Sequence, residues 1–540
     1  MKVSNKINFG GLLHLNASFP ENDVGEKYAG REPPLRSELF SAEQMQQHGK
    51  TLAGLHQLSP KQVPDQLLSR LAENEDVLIG VRDLLAEVVK ANGRIAPAGE
   101  WLLDNFYLIE EQIRTAKRHL SRGYSRELPR LLNGSTAGLP RVYDIALETI
   151  SHGDGRVDPE NLSQFVASYQ TITDLTLGEL WAIPIMLRFA LVENLRRAAA
   201  RIAAHRIDRN RADYWAGLMM DIAEKDPKSL ILVIADMARS SPPMTTAFVA
   251  EFARRLQGQS HDLALPLTWI EQRLAESDMT IEQSVQSENQ QQAIDQVSIS
   301  NSIGSLRFLS MMNWREFVET MSVVERTLRE DPSAAYSKMD FSTRDRYRHE
   351  VEKMARSSRF SEHEVARHAI QLAQQGAKRN GFDDREAHVG FYLIDKGVPR
   401  LERTAKVRLS TSEAFQRMSG RFPVFLYVGP IILMTGVFTA GLVAQAYVEN
   451  VEGWFLALVG LLSLVWTSQL TVALVNWCAT ILVTPHTLPR MDFSTGIPPE
   501  SRALVVVPTM LTSASNVEGL RQFSFALPTW VFRFLNLILI

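Results

Sequence analysis

The sequence predicts a mostly α-helical protein: a multi-helix cytoplasmic region, then a two-helix transmembrane hairpin, then the short start of an α/β domain. Three patterns carry this prediction. Apolar residues recur at steps of three and four through residues 36–421. Two long apolar runs without ionisable residues follow, at 422–448 and 454–483. The clearest strand pattern comes only afterwards, at Ala503–Val507.

Composition narrows the class of protein. The chain has 540 residues, enough for several domains, and its 45% hydrophobic and 22% charged residues are an ordinary globular balance. A formal net charge of −3 gives no reason to expect nucleic acid as a partner. The single cysteine, Cys478, excludes an intrachain disulfide and a cysteine-based metal site, and fits a reducing cytoplasm.

The N-terminal half is predicted to begin flexibly and then become helical. Residues 1–35 mix Gly, Asn, Pro and charges, which predicts a flexible segment without a cleavable signal peptide. Ser41 and Gln44 have the spacing of a capping box and predict a helix start. Over residues 36–280 we expect a helical cytoplasmic region, including an amphipathic helix or helix pair over Pro64–Lys90.

The segment HGDGRVDPE could hold a cation or begin a helix. It brings His152, Asp154, Asp158 and Glu160 together around glycines, as in part of a calcium loop. The bidentate glutamate expected at the twelfth position is missing, so we predict a capped turn into a helix. The helix over 100–120 is likewise predicted to pack in the core with a solvated charged face rather than to form a ligand site.

The middle of the chain leaves one alternative open. Leu175–Trp215 is apolar in its first half, with Pro184 inside, and Arg-rich in its second half. This pattern predicts a long core helix with a proline kink, or else an interfacial membrane helix. The polar, Gln-rich stretch 281–300 is predicted to be a linker or an exposed helix and marks the best domain boundary.

A second helical block is predicted for 301–421. It contains His388, between Glu386 and Tyr392. A single histidine in a helical core is more often structural than catalytic, and nothing nearby in the sequence completes a nucleophile triad. We therefore assign His388 a structural role.

The two apolar runs are predicted to cross the membrane as a hairpin. Each exceeds the roughly 20 residues that span a bilayer as a helix. The connecting loop carries Glu449 and Glu452 and no base, whereas both outer flanks are basic, so both termini are expected in the cytoplasm. The flanking bases are Arg400, Arg403, Lys406, Arg408, Arg417 and Arg421 before the hairpin, and His486, Arg490 and Arg502 after it.

The second apolar run carries a polar stripe. Ser463, Thr467 and Thr471 recur at steps of four, and Gln469 and Asn476 lie one heptad apart. Small polar residues let helices approach closely and bond to each other. Without an ionisable residue, this stripe favours helix packing over a transport path. The strand Ala503–Val507 that follows resembles the opening of an α/β nucleotide-binding domain, although one strand cannot form a sheet.

Six blocks of sequence, in this order, resemble the N-terminal portion of bacterial cyclic β-1,2-glucan synthases. They are block A, WLLDNFYLIEEQIR (101–114); block B, LPRVYDIALETISHGDGRVD (139–158); block C, LTLGELWAIPIMLR (175–188); block D, QVSISNSIGSLR (296–307); block E, DDREAHVGFYLIDKG (383–397); and block F, PRMDFSTGIPPESRALVVVPTMLTS (489–513).

The resemblance implies a large inner-membrane enzyme. A family 84 glycosyltransferase domain would use UDP-glucose with a divalent cation, and a domain of glycoside hydrolase family 94 would trim the product. Residues 484–517 would begin the transferase, and 518–540 form a divergent tail. No aspartate pair follows the strand, so we assign no catalytic, cofactor-binding or metal residue. The chain is expected to be a fragment that stops before the catalytic domains.

The functional prediction follows from the hairpin and the resemblance together. The chain is expected to anchor a synthase in the inner membrane as a multi-pass protein, and to assemble or regulate it, without activity alone. Its partners would be the lipid bilayer and the remaining synthase domains or an intact synthase, and not nucleic acid. The alternative is a stand-alone membrane-tethered helical scaffold or interaction protein.

Overall fold

The computed structural model describes residues 35–59, 64–91, 93–407, 423–451, 453–482 and 488–494, with positions 496 and 499. Over these residues the protein is mostly helical, with twenty α-helices and no strand, as the sequence predicts. The isolated bridges are Leu58 to Leu131, Arg130 to Pro140 and Met339 to Met491. The predicted strand Ala503–Val507, the N-terminal segment 1–34 and the tail 518–540 lie outside the described residues.

The chain divides into two compact units, Met1–Ser322 and Val323–Ile540. The first unit contains thirteen of the described helices. They are α1 (Ala42–Leu55), α2 (Leu67–Lys90), α3 (Pro97–Asp104), α4 (Phe106–His119), α5 (Arg122–Glu127), α6 (Arg141–His152), α7 (Pro159–Gln170), α8 (Leu177–Lys225), α9 (Leu230–Arg239), α10 (Thr246–Leu256), α11 (Ala264–Ala275), α12 (Ile281–Met311) and α13 (Trp314–Met321).

Helix α8 is the axis of the first unit. Its 49 residues start at a capping box formed by Thr176 and Glu179, and it continues through Pro184. Its first half is buried on all sides, because α2, α4, α6 and α12 pack around it. Its second half packs with α9, α10 and α12 around a separate apolar cluster that includes Met219, Phe248 and Ile270.

The Arg-rich half of α8 faces helix α12 rather than a lipid surface. Arg201 donates to the carboxylate of Asp295, with Nε to Oδ2 at 3.2 Å, and Arg209 donates to Glu288. Both carboxylates are 2% exposed. This pairing explains the arginines and supports the core-helix alternative. The Gln-rich stretch 281–300 is helical and has one face buried, because it forms the first part of α12. The two units divide after Ser322, beyond the end of this helix.

The second unit holds five short to medium helices and the hairpin. Its helices are α14 (Val323–Leu328), α15 (Phe341–Arg356), α16 (Glu362–Asn380), α17 (Gly390–Ile394), α18 (Val398–Thr404), α19 (Pro423–Val448) and α20 (Trp454–Leu482). Helices α14 to α18 enclose an apolar cluster that includes Leu328, Tyr336, Tyr347, Val365 and Leu393.

Helices α19 and α20 pack against each other and are long and apolar enough to cross a membrane. They match the two predicted runs at 422–448 and 454–483. Only 6% of the apolar window in the first and 17% in the second is buried, so most of their apolar surface has no protein cover. Leu433, Leu461 and Trp466 are each more than half exposed.

Candidate functional site

The two hairpin helices meet along a polar seam. Thr435, Ser463, Thr467 and Thr471 are all buried, although the hairpin is otherwise exposed. The hydroxyls of Thr439 and Thr467 lie 2.7 Å apart across the helix pair. Because the stripe of small hydroxyl residues faces the neighbouring helix, it serves helix packing, as the sequence predicts.

The seam is extended toward one end of the hairpin by a further contact. The hydroxyl of Tyr427 donates to Oδ1 of Asn476 at 2.6 Å. Within the helices, Thr467 and Thr471 also donate to the carbonyls four residues earlier, at 2.8 and 2.7 Å. The hydroxyls of Tyr427, Ser463, Thr467 and Thr471 are therefore satisfied inside the hairpin, which an apolar surrounding favours, whereas Oγ1 of Thr435 is buried without a hydrogen-bond partner.

The chain after the hairpin returns to the helical block that precedes it. The amide of Asp340 donates to the carbonyl of Arg490 at 2.9 Å, and the amide of Asp492 donates to the carbonyl of Lys338 at 2.8 Å. The amide of Arg490 donates to Oγ1 of Thr343 at 3.0 Å. We call this pairing of 338–343 with 490–492 the clip. It holds the start of block F against the N-terminus of α15.

His388 lies in a connected hydrogen-bond cluster. Its Nδ1 is 2.8 Å from Oδ2 of Asp331 and 3.2 Å from Oγ of Ser333, while Nε2 is 3.3 Å from the hydroxyl of Tyr347. A nucleophile triad needs the acid and the hydroxyl on opposite ring nitrogens. Here Asp331 and Ser333 share Nδ1, and the hydroxyl on Nε2 is that of Tyr347, whose pKa burial raises to about 12, so no serine-type nucleophile faces the ring and the geometry supports the structural role that the sequence predicts.

The carboxylate of Asp331 is the centre of this cluster. Burial by itself would raise the pKa of Asp331, but hydrogen bonds from His388, Ser333 and the amide of Val389 hold it below its usual range. The carboxylate thereby ties block E to the loop after α14. Its role is to fix two loops, and it presents no open acid to a substrate.

The loop HGDGRVDPE is a capped turn, as predicted. The side chain of Asp158 accepts from the amides of Glu160 and Asn161, both at 3.0 Å, and begins α7. Gly155 has φ +79° and lies so close to α12 that an added Cβ would approach Oγ of Ser302 to 2.5 Å. The four acidic and imidazole side chains of this loop do not converge on one point.

His152 joins a different cluster, which the sequence analysis missed. Nε2 of His48 lies 2.7 Å from Oε2 of Glu148, and Nε2 of His152 lies 3.2 Å from the same oxygen. Among the residues that the structure describes, this is the one group of three side chains placed to share a metal ion. The i, i+4 spacing of Glu148 and His152 was a visible signal, but His48 lies far away in sequence.

Blocks A to D bond to one another in the core of the first unit. Arg141 of block B and Glu179 of block C form a buried ion pair, with Nε to Oε1 at 2.5 Å and Nη2 to Oε2 at 2.7 Å. Nε of Arg188, also in block C, donates to Oε1 of Gln112 in block A at 2.8 Å. These contacts join three of the blocks through buried polar groups.

Block D completes the network. Oγ of Ser305 accepts from the amide of Val157 at 2.9 Å and donates to the carbonyl of Gly155 at 2.8 Å, which joins it to block B. Arg307 donates to Asn105 of block A. Blocks A to D, four of the six blocks that carry the resemblance to the synthases, therefore form one connected polar network around α8.

Comparison with known proteins gives one curated match. The chain is 31% identical over 493 residues, 90% of its length, to the cyclic beta-(1,2)-glucan synthase NdvB of Rhizobium meliloti (strain 1021). The chain is related to the cyclic β-(1,2)-glucan synthase family. It spans 17% of the length of that relative. No family model matches it.

The blocks that resemble the synthases are also the parts of the chain that take part in the polar contacts described above. Blocks A to D of this synthase-related chain share buried hydrogen bonds and an ion pair, and block F contributes to the clip. In the described residues we find no constellation of nucleophile, base and orienting acid in these blocks. The polar groups that the blocks bring together stabilise the fold of each unit.

Proposed function

We propose that this chain is the membrane-anchoring and assembly or regulatory part of an inner-membrane cyclic β-1,2-glucan synthase, without glucosyl transfer activity of its own. A family 84 glycosyltransferase domain, using UDP-glucose and a divalent cation, and a family 94 domain supply the chemistry in the whole enzyme. The observation that carries the proposal is a hairpin with an apolar outside and a polar seam inside, in a chain related to this family.

The exposed apolar surface supports insertion in a bilayer. A monomeric soluble protein rarely exposes a contiguous apolar patch of more than a few hundred Å². Here most of two helices is apolar and exposed, including Val424, Leu433, Leu461 and Trp466. Lipid tails can cover such a surface, because the helices satisfy their own backbones and the seam satisfies the hydroxyls of Ser463, Thr467 and Thr471, Thr435 being the exception.

The clip supports an orientation with both chain ends on one side. Residues before and after the hairpin bond to each other, so the chain enters and leaves the membrane through the same face. Arg400, Arg403 and Lys406 precede the hairpin, whereas Glu449 lies in the connecting loop. Basic residues remain in the cytoplasm, which makes the face of the clip cytoplasmic.

The absence of activity in this chain is tested directly with membranes. A strain without its own synthase expresses either this 540-residue chain or a full-length related synthase, and isolated membranes receive radiolabelled UDP-glucose. We expect glucan only with the full-length enzyme. Labelled glucan from membranes that contain this chain alone would contradict the proposal.

The anchoring and assembly roles are tested by two further measurements. We expect alkaline carbonate to leave the intact chain in the membrane and to release a variant in which a Gly-Ser linker replaces 422–483. We expect a tagged remainder of a related synthase to copurify with the intact chain. Retention without copurification would favour the stand-alone scaffold, and release of the intact chain would exclude anchoring.

A further inference from the structure

We propose that His48, Glu148 and His152 bind a divalent transition-metal ion of the zinc class that joins α1 to α6. This site lies in the first compact unit and is separate from any cation that a transferase domain uses with UDP-glucose. The proposal does not depend on the function proposed above.

The three ligand atoms are already close together. One nitrogen from each imidazole and one carboxylate oxygen lie within 4.8 Å of one another. Zinc bonds of about 2.0–2.1 Å place neighbouring ligand atoms roughly 3.3 Å apart in a tetrahedral site. The distances from Glu148 Oε2 to the two nitrogens, 2.7 and 3.2 Å, differ from this value by a few tenths of an ångström, which small side-chain rotations supply.

The hydrogen bond made by Nδ1 of His152 determines which tautomer of the ring faces the Glu148 carboxylate. Nδ1 of His152 lies 2.7 Å from the carbonyl oxygen of Glu38. A carbonyl oxygen can only accept, so Nδ1 carries the proton, and in the neutral ring Nε2 has a lone pair directed at Glu148. A metal ion between these two groups turns this repulsion into two bonds. Metal-binding histidines commonly donate their other N–H to a backbone carbonyl.

The surrounding structure holds both rings in place. Phe40 stacks on the ring of His152, with centroids 3.7 Å apart, and the rings of His48 and His152 meet edge to face at 4.9 Å. The hydroxyls of Ser37 and Ser151 lie 2.6 Å apart beside the cluster. A site whose ligands are fixed by packing and by hydrogen bonds to its neighbours loses little entropy on binding an ion.

The ligand set selects the class of ion. Imidazole suits zinc and its transition-metal neighbours, whereas magnesium and calcium require mostly oxygen ligands. Two imidazoles and one carboxylate leave a fourth position for water. The exposed fractions of the side chains, 25% for His48, 29% for Glu148 and 9% for His152, leave this position open to solvent.

The competing explanation is a hydrogen-bonded ion pair in which a protonated imidazole faces Glu148. Zinc binding separates the two. The full-length chain in detergent is stripped with EDTA, dialysed against micromolar zinc and analysed for bound metal. We expect about one equivalent per chain in the wild type. Cobalt in place of zinc should give the visible absorption of a four-coordinate site.

Three variants complete the experiment. H48Q and E148Q remove ligands at partly exposed positions and should lose the bound equivalent, while H363Q, at a partly exposed histidine of α16 in the second unit, should retain it. Zinc at a hundredfold excess over its dissociation constant should raise the unfolding temperature of the first unit by about 5 °C in the wild type and in H363Q. It should leave the unfolding temperatures of H48Q and E148Q unchanged. Circular dichroism confirms that each variant is folded.

The outcomes are distinct. Stoichiometric zinc that is lost in both ligand variants establishes the site. A wild-type chain that retains no zinc, or ligand variants that bind as much as H363Q, overturns the proposal and leaves the ion pair as the explanation.

Discussion

The pair formed by Arg141 and Glu179 is the most buried bidentate ion pair among the contacts described above. The side chains are 3% and 0% exposed. Burial alone would lower the pKa of Arg141, but the Glu179 carboxylate raises it above its ordinary value. Arg141 also donates to the carbonyl of Asp174 at 2.8 Å. The guanidinium therefore fixes the start of α8 to the start of α6.

We expect Arg141→Met to lower the free energy of unfolding by about 3–5 kcal/mol, because it leaves the Glu179 carboxylate buried without its partner. Urea unfolding followed by far-ultraviolet circular dichroism measures the change. Arg114→Met is the matched control, since its pair with Glu110 is exposed on α4 and worth about 0.5 kcal/mol. Equal losses in the two variants would refute the role of the buried pair.

His349 is predicted to titrate far above an ordinary histidine. Hydrogen bonds to Asp345 and Glu352 raise the pKa of His349 to about 9 from its ordinary value of 6.5. The folded pKa is raised, so the stabilisation is fully present below pH 6.5 and is lost as the pH rises through about 9. NMR titration of histidine-labelled protein should show this midpoint for the resonance that disappears in H349Q. A midpoint near 6.5 would rule out the ionic contacts.

At the scale of elements, short-range patterns in the sequence predicted the helix starts and helices that depend on short-range interactions. The capping box at Ser41 and Gln44 is present, and the amphipathic pattern over Pro64–Lys90 became one helix, α2. The two helices of the hairpin were predicted from the length of the apolar runs and from their lack of charged residues. In each case the signal lies within one or two helical turns or within one run of sequence.

Contacts between distant elements could not be predicted in this way. Arg201 and Asp295 are far apart in the chain, so the reason for the arginines of α8 becomes visible only when α12 is packed beside it. The cluster of His48 with Glu148 and His152 was missed for the same reason. Periodicity shows which face of a helix is apolar, but it does not show which helix covers it.

The seam between α19 and α20 allows a test at the scale of the hairpin. Thr467→Leu adds bulk where two helices meet and removes the hydrogen bond to Thr439. We expect it to open the hairpin, whereas Thr467→Val, which removes only the hydrogen bond, should cost about 0.6 kcal/mol. Electrophoresis of the hairpin in SDS separates open from closed forms. Ser468→Leu, beside the seam, is the control and should leave the mobility unchanged.

At the scale of the whole molecule, the membrane orientation proposed above can be tested by cysteine labelling. The chain has a single cysteine, so Cys478→Ala provides a background for labelling. With a membrane-impermeant maleimide we expect Glu449→Cys to react in intact spheroplasts and Gln374→Cys to react only after permeabilisation. The cysteine-free chain controls for background. The opposite pattern would place the second helical block outside the cell.

The clip also determines where the chain stands after the hairpin. Because 338–343 and 490–492 are bonded to each other, the stretch that contains α19 and α20 begins and ends at neighbouring points of the second unit. Thr343 and Arg490, which are 147 positions apart in the sequence, therefore lie side by side. Whatever follows Asp492 in the chain continues from a fixed point beside α15.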